Sequence, residues 1–311
     1  MRVIANSTGM REVVRRMQRA ARADCPVVLW GEEGSGKRFV AEQIHRHSRR
    51  SGGPLIVVRL PSPFLFPKER ACQLEDELLF GSPEHPGRLA EAAGGTLLVD
   101  EITRLSPTTQ AKLLAPAEGR GVFTGNGAFT QTLDFRLMAT TRFELAECVK
   151  RGMLREDLYY RIGAVVIRVP PLRERRDDLA ELIEEWLVPL SAERGLAVPA
   201  VEPDFVQAAV EYSWPGNVAQ LRELLAAMLS AGGGYPLSGH GFRRALAGTG
   251  KCTPGTQAFP QVVPLESLER AAVLHALEVH EGNRTQAAKS LGISVRTLQR
   301  KLRRWQVGSD G

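Results

Sequence analysis

The sequence lacks several features that would place it in a specialised class of protein. Its 311 residues contain only four cysteines. These are Cys25, Cys72, Cys148 and Cys252, and the absence of a CxxC pair argues against a disulfide framework or a zinc site. No apolar run approaches the roughly 18 residues of a membrane span, and the N-terminal residues have no apolar signal-peptide core. We therefore expect a cytoplasmic protein with no membrane partner.

The composition that remains is that of an ordinary globular protein. Hydrophobic residues make up 43% and charged residues 24% of the chain, which excludes wholesale disorder and fibrous structure. At about 150 residues per domain, the length predicts about two domains. The net charge of +6 is weak evidence for an anionic partner, so its distribution along the chain matters more.

Five short apolar runs rich in β-branched residues predict strands. They are Val27–Trp30, Leu55–Leu60, Thr96–Val99, Phe135–Thr140 and Ala164–Val169. Helical segments such as Arg38–Ser48 and Thr108–Leu114 lie between several of them. This alternation predicts an α/β fold with a mostly parallel sheet that helices cover on both faces.

The character of the sequence changes after residue 170. Strand signals stop there, and apolar residues at helical spacing predict a smaller all-helical subdomain over residues 171–230. Residues 231–264 contain eight glycines and four prolines and are predicted to be a flexible linker. Residues 265–311 are again helical in pattern. The predicted organisation is therefore an α/β core over 1–170, a helical subdomain, a linker and a C-terminal helical domain.

The clearest chemical motif follows the first predicted strand. Residues 31–37 read Gly-Glu-Glu-Gly-Ser-Gly-Lys, the Gly-x4-Gly-Lys form of a phosphate-binding loop. The glycines let backbone N–H groups turn toward phosphate, the following helix adds its dipole, and Lys37 reaches the terminal phosphates. The predicted nucleotide-binding residues are Gly31, Glu32, Glu33, Gly34, Ser35, Gly36, Lys37 and Arg38. Arg38 stands where such loops usually carry Ser or Thr.

A second element supports a nucleotide site. Residues 94–101 form an apolar strand that ends in Asp100 and Glu101. In phosphate-loop ATPases, acids at this place hold Mg²⁺ and polarise the attacking water. The alternative is a buried strand that happens to end in an acidic turn. The two elements in this order favour binding of ATP with Mg²⁺.

Seven segments together resemble the AAA+ domain of bacterial enhancer-binding proteins, the sigma-54-dependent transcriptional activators. They are residues 31–37, 77–81, 94–102, 110–114, 154–161, 170–175 and 214–218. The resemblance implies a P-loop core with a helical lid, assembled as a ring, usually a hexamer, that hydrolyses ATP to remodel RNA polymerase carrying sigma-54.

The same resemblance assigns roles to four residues. It implies that Asp100 holds Mg²⁺, that Glu101 orients water, and that Arg155 and Arg161 reach the nucleotide of a neighbouring subunit. Such a trans arginine neutralises charge on the transferred phosphoryl group only in the assembled ring. Without the family context, ordinary surface or ion-pair roles are the favoured explanation of these two arginines.

Several positions depart from the family pattern. The family carries a GAFTGA loop that touches sigma-54, but here only residues 82–86 separate Gly81 from Gly87, so we expect the loop to be essentially deleted. A similar string at residues 127–130 lies after the acidic strand instead.

Three further departures concern the nucleotide site. Arg59 stands where the family usually has Asn, and Arg142 occupies a sensor position usually filled by Asn or His. Ala219 stands in place of a sensor Arg, for which Arg222, one turn on, is a weak substitute. We expect phosphate binding to be better preserved than ATP hydrolysis or sigma-54 contact.

Positive charge is concentrated near the end of the chain. Residues 282–305 contain seven Lys or Arg and no Asp or Glu, which favours an anion-binding surface over a solvated helix face. Residues 284–302 fit a helix–turn–helix in which Gly292 permits the turn and Ser294 caps the second helix. Arg pairs with guanine and Gln with adenine in a major groove. The predicted DNA-binding residues are Thr285, Gln286, Ser294, Arg296, Thr297, Gln299, Arg300 and Lys301.

This stretch resembles the Fis-type module of enhancer-binding proteins; the alternative is a basic helical hairpin that binds protein. The module pairs through a helix corresponding to residues 265–280, which implies a dimer on a palindromic double-stranded site. The sequence thus predicts a bacterial transcription regulator whose partners are DNA, RNA polymerase holoenzyme and copies of itself. Only 30 residues precede Gly31, so we expect no receiver or sensory domain.

Two functions stay open at this point. One is a working ATPase that drives opening of sigma-54 promoters. The other is a DNA-binding regulator that uses nucleotide only to set its assembly.

Overall fold

The computed structural model describes residues 3–60, 68–82, 85–119, 122–123, 129–130, 133–232 and 236–249, together with Val295, Thr297 and Leu298. The chain divides into two units, residues 1–252 and 253–311. In the second unit, the three described residues are helical and Leu298 is buried. The rest of the predicted helix–turn–helix and the predicted pairing helix lie outside the described residues.

A five-stranded sheet forms the centre of the first unit. The strands of the chain are β1 (Val27–Trp30), β2 (Leu55–Arg59), β3 (Thr96–Asp100), β4 (Val122–Phe123), β5 (Phe129–Thr130), β6 (Arg136–Thr141) and β7 (Val165–Arg168). The sheet has the order β2-β3-β6-β1-β7, and all of its pairings are parallel. The predicted parallel α/β architecture is confirmed. Strands β4 and β5 form a separate antiparallel pair, so the GAFTGA-like string ends outside the main sheet.

Helices cover both faces of this sheet. The helices are α1 (Thr8–Arg22), α2 (Lys37–Arg46), α3 (Lys68–Phe80), α4 (Arg88–Glu91), α5 (Pro107–Ala117), α6 (Leu145–Lys150), α7 (Glu156–Ile162), α8 (Leu179–Ala192), α9 (Pro203–Glu211), α10 (Asn217–Gly232) and α11 (Gly239–Thr249). Successive strand side chains point to opposite faces, so Val27 and Leu29 pack with α1 and α2, whereas Val28 packs with α3, α5, α6 and α7. Burial on both faces explains why the strands read as continuous apolar runs.

Helices α8 to α11 build the lid around a second core. Trp214 and Phe205 are fully buried there, and the Trp214 indole donates a hydrogen bond to the Ala209 carbonyl oxygen at 2.7 Å. The ring of Phe242, on α11, lies 5.4 Å from that of Phe205 and 5.8 Å from that of Trp214. Among the helices in the described part of the chain, none is long and apolar enough to cross a membrane.

The structure corrects one boundary. The flexible linker was expected to begin at residue 231, but α11 lies inside that segment and its Phe242 is buried in the lid core. The glycines and prolines between 231 and 264 obscure the helical pattern, and within the described residues 236–249 only two large side chains are buried, Leu237 just before α11 and Phe242 within it. The prediction of a flexible linker is therefore wrong for residues 236–249.

Candidate nucleotide-binding site

Three neighbouring strands place the phosphate loop, the two acids and Arg142 at one edge of the sheet. The phosphate loop follows β1, Asp100 ends β3, and Arg142 follows β6. The carboxyl ends of adjacent parallel strands meet at the same edge, which is where open α/β sheets bind ligands. A cavity of about 540 Å³ opens there, and residues 33–38, the two acids and the lid all line it.

The phosphate loop has the backbone that its glycines allow. Gly34 and Gly36 adopt left-handed φ angles of 72° and 97°, and α2 begins immediately after Gly36. A Cβ atom on Gly34 would lie 2.3 Å from the carbonyl oxygen of Gly216, so the lid can approach the loop only because this residue is glycine. The predicted loop therefore stands between the sheet and the lid.

Lys37 is held inside the loop. Its side chain is only 7% exposed, and its Nζ donates to the carbonyl oxygens of Gly31 at 2.8 Å and Glu32 at 3.1 Å. The same Nζ lies 3.4 Å from Oε1 of Glu101. A buried ammonium is tolerated only when it is paired and hydrogen-bonded, and these oxygens supply both conditions.

The two acids after β3 are fixed by Thr140. The backbone N–H of Glu101, a residue with a left-handed φ of 57°, donates to Thr140 Oγ1 at 2.9 Å. The Thr140 hydroxyl in turn donates to Asp100 Oδ1 at 2.6 Å. Burial raises the pKa of Glu101 above its usual value, although the charges of Lys37 and Arg142 oppose that shift.

Arg142 connects the phosphate loop to the acidic strand. Its Nη2 lies 2.9 Å from Glu33 Oε2, and its Nε lies 3.8 Å from Glu101 Oε2. A guanidinium thus occupies the position assigned to a neutral sensor side chain. The sequence shows the replacement, whereas the pairing with Glu33 depends on how the fold brings the two segments together.

Three residues outside the phosphate loop, Asn217, Arg173 and Arg175, hydrogen-bond to it, although the sequence predicted no individual role for them. Asn217 Nδ2 donates to the Glu33 carbonyl oxygen at 2.8 Å, while its Oδ1 accepts the Leu172 N–H at 2.8 Å. Arg173 donates two hydrogen bonds to the Glu32 carboxylate, and this contact holds the pKa of Glu32 below its usual range.

Arg175, the third of these residues, is buried beneath the loop. It donates to the Ser35 carbonyl oxygen at 2.5 Å, and burial lowers its pKa to about 10. The motifs at 170–175 and 214–218 contain Asn217, Arg173 and Arg175. The sequence therefore marked these residues but did not show that they contact the phosphate loop.

The donors around Asp100 do not fit a Mg²⁺ ion held by the protein. Mg²⁺ prefers octahedral oxygen ligands, and a phosphate loop normally contributes one hydroxyl. Arg38 places a guanidinium there instead, with its Nε 2.9 Å from Glu42 Oε1. One oxygen of Asp100 already accepts the Thr140 hydroxyl. Within the described residues, His, Cys, Asp and Glu side chains form no group of three that could hold a metal, so Mg²⁺ here would depend on the phosphates of a bound nucleotide.

Basic side chains dominate the cavity. We call seven of them the cationic lining: Lys37, Arg38, Arg59, Arg104, Arg142, Arg175 and Arg222. Three acidic residues, Glu33, Asp100 and Glu101, also line the cavity, and Arg38 has a further carboxylate partner in Glu42 outside it. Of the replaced family positions, Ala219 also lines the cavity, and Arg222 stacks over the Trp186 ring at 5.0 Å.

The other predicted site residues lie elsewhere. Arg155 occupies the position just before α7 and pairs with Asp157, and Arg161 Nε donates to the Ala117 carbonyl oxygen at 2.7 Å. Both are exposed and neither lines the cavity. Of the predicted DNA-binding residues, the structure describes Thr297, which is helical and half-buried.

Comparison with known families covers almost the whole chain. Residues 3–168 match the sigma-54 interaction domain, residues 173–254 the AAA+ ATPase lid domain, and residues 264–305 the Fis family of bacterial regulatory proteins. This chain belongs to the sigma-54-dependent transcriptional regulators. The Fis-type match gives the regulator a DNA-binding module in the part of the chain that carries the predicted contacts.

Individual relatives agree with this assignment. The regulator is 34% identical over 304 residues to the transcriptional regulatory protein ZraR of Klebsiella oxytoca, covering 97% of this chain and 68% of ZraR. It is 34% identical over 320 residues to the nitrogen fixation protein VnfA of Azotobacter vinelandii, covering 98% and 59% of the two chains.

A solved structure also shares the fold. The crystal structure of NtrX from Brucella abortus in complex with ADP superimposes with a TM-score of 0.69 at 26% identity, over 97% of this chain and 68% of NtrX. A second NtrX structure, in complex with ATP, gives a TM-score of 0.68 at 25% identity.

Proposed function

We propose that this regulator binds ATP in the cavity and double-stranded DNA through residues 265–311, hydrolyses ATP slowly, and acts without the usual loop contact to sigma-54. Nucleotide then sets the assembly state of the DNA-bound protein. RNA polymerase holoenzyme remains its partner through the family, and a C-terminal dimer and a larger ring are its proposed assemblies.

The cavity supports ATP as the ligand. Lys37 and the N-terminus of α2 face the place where terminal phosphates bind in this loop type, and NtrX was crystallised with ADP and with ATP. The loop residues from Gly31 to Arg38 are the proposed phosphate contacts. Asp100 and Glu101 are proposed to face the terminal phosphate, with Glu101 orienting water.

The single observation that carries the sigma-54 part of the proposal is the short connection between Gly81 and Gly87. Gly81 pairs with Pro86 in an isolated antiparallel bridge, and the Ser82 N–H donates to the His85 carbonyl oxygen at 2.9 Å. Five residues that must go out and return reach no more than about 9 Å. An element that remodels another protein has to project and to make contacts that differ between nucleotide states. We infer that this connection replaces the GAFTGA loop.

The site geometry supports slow hydrolysis. Arg142 places positive charge beside Glu101, the residue proposed to orient water, and thereby offsets the negative charge that polarises it. Ala219 lacks the side chain of the family's sensor Arg, and the stacking of Arg222 on Trp186 holds its guanidinium on the lid.

The second candidate is an active ATPase that remodels sigma-54 polymerase. The pairing of Lys37 with Glu101 favours it, because the residues proposed to bind phosphate and to orient water remain together. Arg155, at the start of α7, and Arg161, within it, are also available to reach the nucleotide of a neighbouring subunit.

Binding to purified sigma-54 separates the two candidates. We expect no complex in a pull-down with the full chain, even with a transition-state analogue of ATP bound. A parallel ATP turnover assay with wild-type and Lys37→Ala proteins should show slow turnover that the substitution abolishes. A stable sigma-54 complex that survives deletion of residues 121–131 would restore the activator candidate.

A further inference from the structure

We infer that this cavity binds nucleoside triphosphate in its metal-free form, with Arg38 and Arg142 supplying the positive charge that Mg²⁺ supplies in related sites. The inference rests on the proposed binding of ATP and specifies which ionic form of ATP is bound. It follows from the chemistry of the side chains that surround the phosphate position.

Arg38 is the first of the two groups. It occupies the first turn of α2 directly after Lys37, at the position where a hydroxyl normally ligates the metal. A guanidinium has five N–H donors and no lone pair, so it cannot ligate a cation. It binds phosphate oxygens in a bidentate fork, which makes it a ligand for the anion that Mg²⁺ would otherwise screen.

Arg142, which follows β6, is the second group. Its guanidinium contacts Glu33 on the loop and Glu101 after β3, so it spans the gap between loop and acidic strand. Its side chain is 43% exposed, like that of Arg38. Neither charge is locked in the protein interior, and each can exchange its carboxylate partner for a phosphate oxygen when nucleotide enters.

The charge of the cavity agrees with a metal-free ligand. The cationic lining contains seven basic side chains, against three acidic residues that line the same cavity. Free ATP carries about four negative charges near neutral pH, because its terminal phosphate carries nearly two and each inner phosphate one. Bound Mg²⁺ removes two of these charges and so weakens the attraction between the nucleotide and the cationic lining. The positive charges of Lys37, Arg38 and Arg142 would also repel a dication.

Calorimetric titration of the full-length protein with ATP, in excess EDTA and in excess Mg²⁺, tests the inference. We expect the Kd in EDTA to equal or lie below the Kd in Mg²⁺. Arg38→Thr, which restores the hydroxyl, should weaken binding in EDTA by about tenfold or more, and Mg²⁺ should recover most of the loss. Arg46→Thr, the same change at an exposed position on the same helix, is the matched control and should leave both values unchanged.

A second variant guards against a folding defect at position 38. Arg142→Gln keeps the size and polarity of the side chain and removes its charge, so it should also weaken binding in EDTA more than in Mg²⁺. Wild-type binding that requires Mg²⁺ would overturn the inference and leave the proposed function intact. Failure to bind ATP under either condition would overturn both. Unchanged EDTA affinity in Arg38→Thr and Arg142→Gln would also overturn it.

Discussion

The Lys37 ammonium group lies 2.8 Å from the Gly31 carbonyl oxygen and 3.4 Å from the Glu101 carboxylate. Its hydrogen bonds therefore run to the loop itself. An entering phosphate must take over some of these bonds, so the affinity for nucleotide is the difference between two sets of contacts to the same ammonium group. The arrangement also ties the first residue of the loop to the end of β3.

Replacing Lys37 should weaken ATP binding strongly. Lys37→Ala removes a charge-assisted contact worth about 1.5–3 kcal/mol, which corresponds to about 10- to 100-fold in Kd. Calorimetric titration measures the change. Lys150→Ala, at an exposed position on α6, is the control and should bind ATP like the wild type. Equal affinities for Lys37→Ala and wild type would show that the loop does not hold the phosphates.

Replacing Arg142 should accelerate ATP turnover when ATP is saturating and Mg²⁺ is present, because these conditions compensate for any loss of phosphate binding. Arg142→Asn removes the positive charge beside Glu101 and installs the usual sensor side chain. We expect about a two- to fivefold increase, because a half-exposed ion pair contributes at most about 1 kcal/mol. Steady-state phosphate release measures the rate, with Arg22→Asn on α1 as the control. Rapid turnover by the wild type, or a slower Arg142→Asn variant, would contradict the proposed effect of the guanidinium.

Arg155 and Arg161 should act on a neighbouring subunit. Arg155→Ala and Arg161→Ala should each reduce the remaining turnover by about 1000-fold or to the detection limit, as loss of a trans arginine does. Mixing Arg161→Ala with Lys37→Ala should restore part of the activity, because one variant keeps the arginine and the other keeps an intact loop. If mixing leaves both variants inactive while they still assemble, the trans role is wrong.

Glu32 should stabilise the protein in a pH-dependent way. Its contact with Arg173 lowers its pKa from the ordinary 4.5, so its stabilisation is present above that pH and is lost as pH falls through the lower folded value. The pair is exposed and contributes at most about 1 kcal/mol.

Glu32→Gln should therefore melt up to about 3 °C below the wild type at pH 7, and the difference should shrink below pH 4.5. Thermal melts across this pH range measure it. Glu223→Gln, an exposed change on α10, is the control. A difference that grows toward acid pH would have the wrong sign.

DNA affinity should depend on the C-terminal segment and fall steeply with salt. Neutralising phosphates with Lys and Arg releases counterions, so log affinity should decline linearly with log salt concentration. Arg296→Ala or Arg300→Ala should relax base preference by about 1–3 kcal/mol where the side chain reads a base. A side chain that contacts only phosphate should instead weaken all sequences alike.

Fluorescence anisotropy at several salt concentrations distinguishes these cases, with Arg22→Ala as a control of equal charge change. A protein truncated at Pro264 should lose operator binding. Retention of full affinity by that truncation would place the DNA contacts elsewhere in the chain.

The five strands of the main sheet were predictable because most of their side chains are buried or half-buried. A run such as Val27–Trp30 leaves no polar position, so its β-branched residues and short length define it within one residue. The phosphate loop was equally clear, since glycines in left-handed conformations leave a recognisable spacing. Helix α11 was not predictable, because its large buried side chain, Phe242, stands among glycines and packs on Phe205 and Trp214 from other segments of the lid.

The interior of the site was only partly predictable. The sequence identified Lys37 and Glu101, but not that they would meet, since 63 residues separate them. The position of Arg142 marked it as unusual, but its partner Glu33 depends on the register between β1 and β6. Contacts across such distances follow from how strands are ordered in the sheet, and local pattern carries no record of that order.

Asn217 couples movement of the lid to the phosphate loop. One side-chain amide binds the phosphate loop at Glu33 and the entrance to the lid at Leu172, so a rotation of the lid must strain the loop or break this contact. Binding free energies of linked sites are reciprocal. A molecule that binds the lid and changes its angle must therefore change the affinity of the protein for nucleotide. Nucleotide must then change the affinity of the protein for that molecule by the same factor. Through the Asn217 amide, the angle of the lid and the conformation of the phosphate loop are linked.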